Sequence, residues 1–364
     1  MSGPGAPSSN PDLVDLALQV LPDLKAARDR LANDPDDVMG RLATGPDRAS
    51  PDTLRRVLEN GAVAIAALEA DGDGVTLDRS TEEALEAIVF QVARPAIFMH
   101  DGEFEDPPPP WDRILEPFKS TIAAASARVC RIEVDGMPQL PYAGTGFLVG
   151  EDVVMTNCHV AAVFAQGDAE GRWTLKPDFG ASVSMADDPD PLHFADPLPG
   201  FDVTDLIGVH ERLDLALLRV EPTARGDMLP EPLTLASEDP GPLDDRRLYV
   251  IGYPAFDPVA DPELQELIFG RRFQVKRLQP GAGMATPPGA TPLIKPCSRA
   301  GLEDVLFHDA STLNGNSGSA VFDLETARVL GLHFSGAQLR FNRAVALWRL
   351  VDDPLLVKAG VRFG

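Results

Sequence analysis

The sequence predicts a mainly β protein, two six-stranded antiparallel barrels, preceded by a small N-terminal α-helical domain. Three observations carry this. After Arg128 the runs RVCRIEV, GTGFLVG, DVVMTN, DLALLRV, RLYVIGY, AVFD and RVLGLHFSG are short and rich in β-branched residues, with Gly, Pro and Asp clusters between them. That region is about 235 residues long, which two such barrels would use, whereas a single sandwich would leave much of it as loop. Before Arg128 the apolar residues recur at helical spacing instead.

The elements follow in order. Residues 1–12 are rich in Gly, Pro and Ser and predict a loose N-terminus. A helical module is expected over 13–105. Leu13, Leu16, Val20, Leu24, Ala27 and Leu31 are helically spaced, with Pro22 breaking or kinking the run. Ser50-Pro51-Asp52 predicts a capped second helix carrying Leu54, Val57, Leu58, Ile65 and Leu68. Ser80-Thr81-Glu82-Glu83 has capping-box spacing for a third helix that runs to about Arg94, ahead of Pro95. Asp71-Gly72-Asp73-Gly74 starts like a calcium loop, but Val75 and Thr76 stand where a ligand and the turn glycine belong, so an acidic turn is expected. Residues 106–127 read as a Pro-rich connector and a helix interrupted by Pro117. The first barrel is expected over 128–235 and the second over 236–364.

Composition narrows the function. The 364 residues are 44% hydrophobic and 24% charged, an ordinary globular balance. A formal charge of −24 argues against binding a nucleic-acid backbone. No apolar run approaches the length of a membrane span, and the first residues lack the basic and apolar regions of a secretion signal, so a cytoplasmic protein is expected. Cys130, Cys158 and Cys297 are odd in number and widely spaced, which predicts reduced thiols and neither a zinc site nor a disulfide framework. No nucleotide-binding or zinc-protease motif is present, so no cofactor is implied.

The chemistry concentrates in three places. Gly315-Asn316-Ser317-Gly318-Ser319 sets a serine in a glycine-flanked turn before an apolar strand, where the N–H groups of Gly315 and Ser317 could bind an oxyanion. His159 follows the strand Val153–Asn157 and could act as base. Asp214 heads the buried run DLALLRV, where a carboxylate needs a partner to offset desolvation and an imidazole N–H would serve. Cys158, beside His159, lacks a glycine-rich turn of its own and is read as a packed thiol rather than a nucleophile.

The order TNCHVA, DLALLRV, GNSGSAVFD over about residues 128 to 350 resembles the trypsin-like (chymotrypsin-fold) serine peptidases of bacterial type. The resemblance implies a chymotrypsin-like double barrel with His159 as base, Asp214 as orienting acid and Ser317 as nucleophile. It also implies a protein or peptide substrate and an acyl-enzyme cycle that needs only water. Asn316 stands where the digestive enzymes carry the aspartate that pairs with a newly cut N-terminus, so that mode of activation is not expected. The pair Thr312 and His333, with Ser335 and Gly336, is similar to the substrate pocket of glutamyl endopeptidases and implies cleavage after acidic residues. The alternative is a catalytically latent protease fold whose helical module recruits a protein partner.

Overall fold

The computed structural model describes residues 50–137, 139–140, 142–168, 170–188, 200–222, 228–244, 246–259, 262–337 and 341–364, with isolated positions between 13 and 28. Most of the helix expected over 13–32 lies outside the described residues; within it Leu13, Val14 and Ala17 are helical and buried. Two compact units are present: one takes residues up to 96 with 107–113 and 257–273, the other 97–106, 114–256 and 274–364.

In the first unit, α1 (Pro51–Asp71) begins where Ser50 Oγ accepts the Thr53 N–H, as its sequence predicts. It buries Leu54, Leu58, Ile65 and Leu68. The start of α2 (Arg79–Ala93) differs from expectation. Asp78 rather than Ser80 is the capping residue: its Oδ1 accepts from Thr81 N, Thr81 Oγ1 and Ser80 Oγ, which holds the carboxyl below its ordinary range. Aspartate can accept several donors at once, so it outcompetes a serine two residues on. A helix from the second half of the chain, Pro262–Phe269, belongs to this unit, and its Glu266 Oε1 accepts the Ser50 N–H at 3.0 Å.

The second unit is built of strands. Residues expected to close the helical module instead form β1 (Ile97–His100) and β2 (Glu103–Phe104), which extend a sheet of the second barrel through β1 pairing. Ile97, Phe98 and Met99 are buried, and a three-residue apolar run is too short to distinguish strand from helix by period. The helical stretch over 111–126 is interrupted by a 3-10 turn at Glu116–Phe118, at the expected proline.

The first barrel comprises β3 (Val129–Asp135), β4 (Tyr142–Gly150), β5 (Val153–Thr156), β8 (Gly180–Ser184), β9 (Phe201–Val209) and β10 (Ala216–Pro222), closed in the order β10-β5-β4-β3-β8-β9. A small hairpin, β6 (Ala165–Gly167) with β7 (Trp173–Leu175), follows the helix Cys158–Phe164. The second barrel comprises β11 (Arg247–Gly252), β12 (Arg277–Met284), β15 (Val305–His308), β16 (Ala320–Asp323), β17 (Val329–Ala337) and β18 (Phe341–Ala346); β11 pairs with both β16 and β12 and closes it. A short hairpin, β13 (Ile294–Lys295) with β14 (Ser298–Arg299), projects between β12 and β15. Ile132, Leu148, Val154, Phe164 and Leu218 fill the first core, and Leu248, Val250, Leu306, Val321 and Leu330 the second. No helix among the described residues is long and apolar enough to cross a membrane.

One expectation is overturned. Cys158 and Cys297 are joined in a disulfide, with Cα atoms 5.7 Å apart, and Cys130 alone is a free, buried thiol. Their separation of 139 residues gives no sequence signal of pairing; the hairpin β13–β14 brings Cys297 to the helix that carries Cys158. A disulfide is maintained in oxidising surroundings, so the cysteines give no argument for a reducing compartment.

Candidate active site

His159 sits in the first turn of the helix Cys158–Phe164, directly after β5. Its Nδ1 lies 2.6 Å from Asp214 Oδ2, and its backbone N–H donates to Asp214 Oδ1 at 3.0 Å. The carboxylate is 2% exposed, while 41% of the imidazole is open to solvent. An ionised carboxylate only accepts, so the proton between them belongs to Nδ1; in a neutral imidazole the lone pair is then on Nε2. Asp214 is further fixed through its carbonyl, which accepts from the buried Asn157 Nδ2 at 2.8 Å. The Cys158 and Cys297 sulfurs lie within 4.8 Å of an Asp214 carboxylate oxygen, so the disulfide packs against the acid.

Ser317 occupies a turn that only glycines permit. Gly315 and Gly318 adopt φ of +87° and +89°. A Cβ at Gly318 would stand 1.9 Å from the Thr145 carbonyl oxygen, and one at Gly315 would overlap Tyr142 Oη. Within this turn the N–H groups of Asn316, Gly318 and Ser319 are taken up by Leu313, His333 and Asn316 carbonyls. Those of Gly315 and Ser317 have no acceptor among the described residues. Two unpaired, half-buried donors thus stand in one turn, one residue apart.

The turn is held from the first barrel by residues that the sequence did not single out. Thr145 N donates to the Ser317 carbonyl at 2.9 Å, and Thr145 Oγ1 donates to the Gly315 carbonyl at 2.7 Å. Tyr142 Oη donates to the Tyr253 carbonyl at 2.6 Å. These residues lie on β4, inside a stretch legible as a strand, but a threonine and a tyrosine in a strand carry no mark of their partners. No hydrogen bond joins Ser317 Oγ to His159 among the described residues; such contacts often tighten only when substrate is bound.

Of the expected pocket residues, Thr312 and Gly336 meet at one residue that went unnoticed, Asn342. Thr312 Oγ1 is 2.7 Å from Asn342 Oδ1, and Asn342 Nδ2 donates to the Ala310 carbonyl at 2.7 Å. Gly336 pairs with Asn342 across β17 and β18, and a Cβ there would lie 2.6 Å from Asn342 Oδ1. Ser335 is opposite Arg343, so, unlike Gly336, it lies on the face of the sheet turned away from Asn342. His333 Nδ1 meets His308 Nε2 at 3.2 Å, both rings fully buried or nearly so. Burial, reinforced by the nearby His159, pushes the His333 imidazole down to about 3, and burial holds His308 well below its ordinary range, so both are neutral at physiological pH. His308 has no local sequence signature, and only the register of β15 against β18 reveals it.

The description "Trypsin-like peptidase domain" matches residues 144–332, more than half of the chain. A protein of Lysobacter enzymogenes named "Probable serine protease" is 30% identical over 370 aligned positions, which take in 90% of this chain and 89% of that protein. A glutamyl endopeptidase of Staphylococcus aureus is 25% identical over 222 residues, 60% of this chain and half of that protein. Among solved structures, Deg5 aligns with 71% of this chain and all of its own, at 20% identity and a TM-score of 0.45. The inactive form of the Rv3671c protease from M. tuberculosis aligns with 65% of this chain and 90% of its own, at 22% identity and a TM-score of 0.43. With two closed six-stranded barrels, a family match across both and a near full-length relative named as a protease, the chain belongs to the trypsin-like peptidases and is a serine protease.

Proposed function

We propose that the chain is an endopeptidase in which Ser317 attacks the scissile carbonyl, His159 takes its proton and returns it to the leaving amine, and Asp214 holds the imidazole in the required tautomer. The N–H groups of Gly315 and Ser317 would bind the oxyanion. The observation that carries this reading is the pairing of a 2.6 Å His159–Asp214 contact with a glycine turn whose only unpaired N–H groups, among the described residues, are the two that the mechanism needs. Acyl transfer to Ser317 and hydrolysis of the ester by water complete the cycle.

The substrate is a protein or peptide. The pocket of Thr312, His333, Ser335 and Gly336 is proposed to receive a polar side chain of glutamyl length, with Glu the residue that the sequence nominates; the glutamyl endopeptidases among the relatives support that length and polarity. The helical unit, a separate compact body, is proposed to recruit or regulate rather than to contribute to the chemistry.

Intact-mass labelling by a fluorophosphonate of the wild-type protein and of Ser317→Ala tests the reading. One adduct on the first and none on the second is expected. Absence of an adduct on both would instead favour a latent fold acting through binding.

A further inference from the structure

The hydrogen-bond directions around Asn342 settle what the pocket offers a ligand. Asn342 Nδ2 is committed to the Ala310 carbonyl, so the atom facing Thr312 is Oδ1, which carries no hydrogen. The Thr312 hydroxyl must therefore donate to Asn342, and it presents only lone pairs to anything else. This reverses the role expected of Thr312 from sequence, donation to a substrate carboxylate.

His333 supplies the opposite polarity. The registers set His308 opposite Asn342 and His333 opposite Ala344, so the two histidines and Asn342 share one face of the sheet. One proton lies between His308 Nε2 and His333 Nδ1. If His333 supplied it, the neutral His308 would carry its own proton on Nδ1, a buried atom with no partner among the described residues. A buried orphan N–H is rarer than an under-satisfied acceptor, so His308 donates and His333 keeps its proton on Nε2. That nitrogen has no hydrogen-bond partner among the described residues and is free to donate. Arg343, the cation next along β18, stacks at 4.7 Å over the Phe341 ring and pairs with Phe307 and Ser335, on the face of the sheet opposite Asn342.

We propose that this pocket selects a primary carboxamide, the side chain of glutamine, over the carboxylate of equal length, and that Asn342 sets the choice by turning the Thr312 hydroxyl into an acceptor. The amide oxygen accepts from His333 Nε2–H and the amide NH2 donates to Thr312 Oγ1 and Asn342 Oδ1. A carboxylate in the same place sets an oxygen against those lone pairs, with no cation on that face among the described residues to offset its desolvation. The proposal rests on the endopeptidase reading and refines its substrate.

The experiment is a panel of peptides identical but for Gln, Glu, Asn, Asp or Leu before the cut, run on enzyme first shown to take a fluorophosphonate adduct. Loss of the adduct would sink the endopeptidase reading itself, whereas a labelled enzyme with another preference sinks only this one. The expected kcat/KM for Gln exceeds that for Glu by about tenfold or more, the scale at which polar sites reject a mispaired group. Asn342→Ala frees the hydroxyl to donate and shifts the Gln:Glu ratio toward Glu by about tenfold. Thr312→Val, which keeps the shape and removes the acceptor, brings the ratio toward one and decides the matter should the first variant not fold. Equal or faster cleavage after Glu by the wild type, cleavage after neither, or a ratio unmoved in the folded variants overturns the proposal.

Discussion

The Thr145 hydroxyl donates to the Gly315 carbonyl at 2.7 Å, while its own N–H holds the Ser317 carbonyl at 2.9 Å, so one strand residue of the first barrel fixes both ends of the turn that carries Ser317. Replacing it with valine keeps the shape and the N–H but leaves the Gly315 carbonyl without its donor. An interaction of about 1–3 kcal/mol is lost in the turn that holds the proposed oxyanion donors. Thr145→Val is expected to lower kcat by about 10- to 100-fold with little change in KM, and Thr145→Ser to recover most of it; steady-state kinetics on one peptide checks both.

Asp214→Asn is expected to cut kcat by about 10⁴-fold without unfolding the protein. The amide can reach His159 only by presenting its oxygen to Nδ1–H or its NH2 to a bare Nδ1, and the second choice moves the proton to Nε2, where the base must be free. Circular dichroism of the variant beside its kinetics separates lost chemistry from lost fold.

Acid should weaken the fold through the histidine pair. Both imidazoles are held below their ordinary range by burial, His333 at about 3. In the unfolded chain they protonate near pH 6.5, so between that pH and about 3 the unfolded state binds more protons. Their contribution is complete above pH 6.5 and is lost as pH falls toward 3. Urea midpoints at pH 7 and pH 4.5 are expected to drop, and to drop less in His308→Leu/His333→Leu.

Lys276 is 1% exposed and anchors the interior by donating from Nζ to the Met185 and Ser126 carbonyls at 2.7 and 3.0 Å, with Asp187 3.0 Å away. Burial lowers its pKa in spite of that partner. Lys276→Met takes the cation from the largely buried Asp187 carboxylate, which keeps the Gly102 N–H, and leaves two carbonyls without their donor, and it is expected to cost about 3–5 kcal/mol by chemical denaturation. The double change Lys276→Met/Asp187→Leu should recover part of the loss.

Most of the barrel strands, and all three chemical blocks, were legible in the sequence because each depends on local pattern. Alternation and β-branching mark the strands, and the glycines around Ser317 mark a turn that no other residues can make. Asn342, His308 and Thr145 escaped notice for the opposite reason: each acts through a partner 25 to 170 residues away, and nothing near them in the chain reports it. The cysteines failed in the same way. Strands 97–104 and the helix Pro262–Phe269 were missed because each is short and joins a body far from its sequence neighbours.

The bond between Cys158 and Cys297 makes the chain from one to the other a covalent ring that takes in the connection between the barrels. A protease that nicks itself anywhere in that ring does not come apart. The piece bearing His159 stays attached to the piece bearing Ser317, so self-cleavage there would be visible as two fragments only after reduction, and the damaged molecule could keep its site assembled.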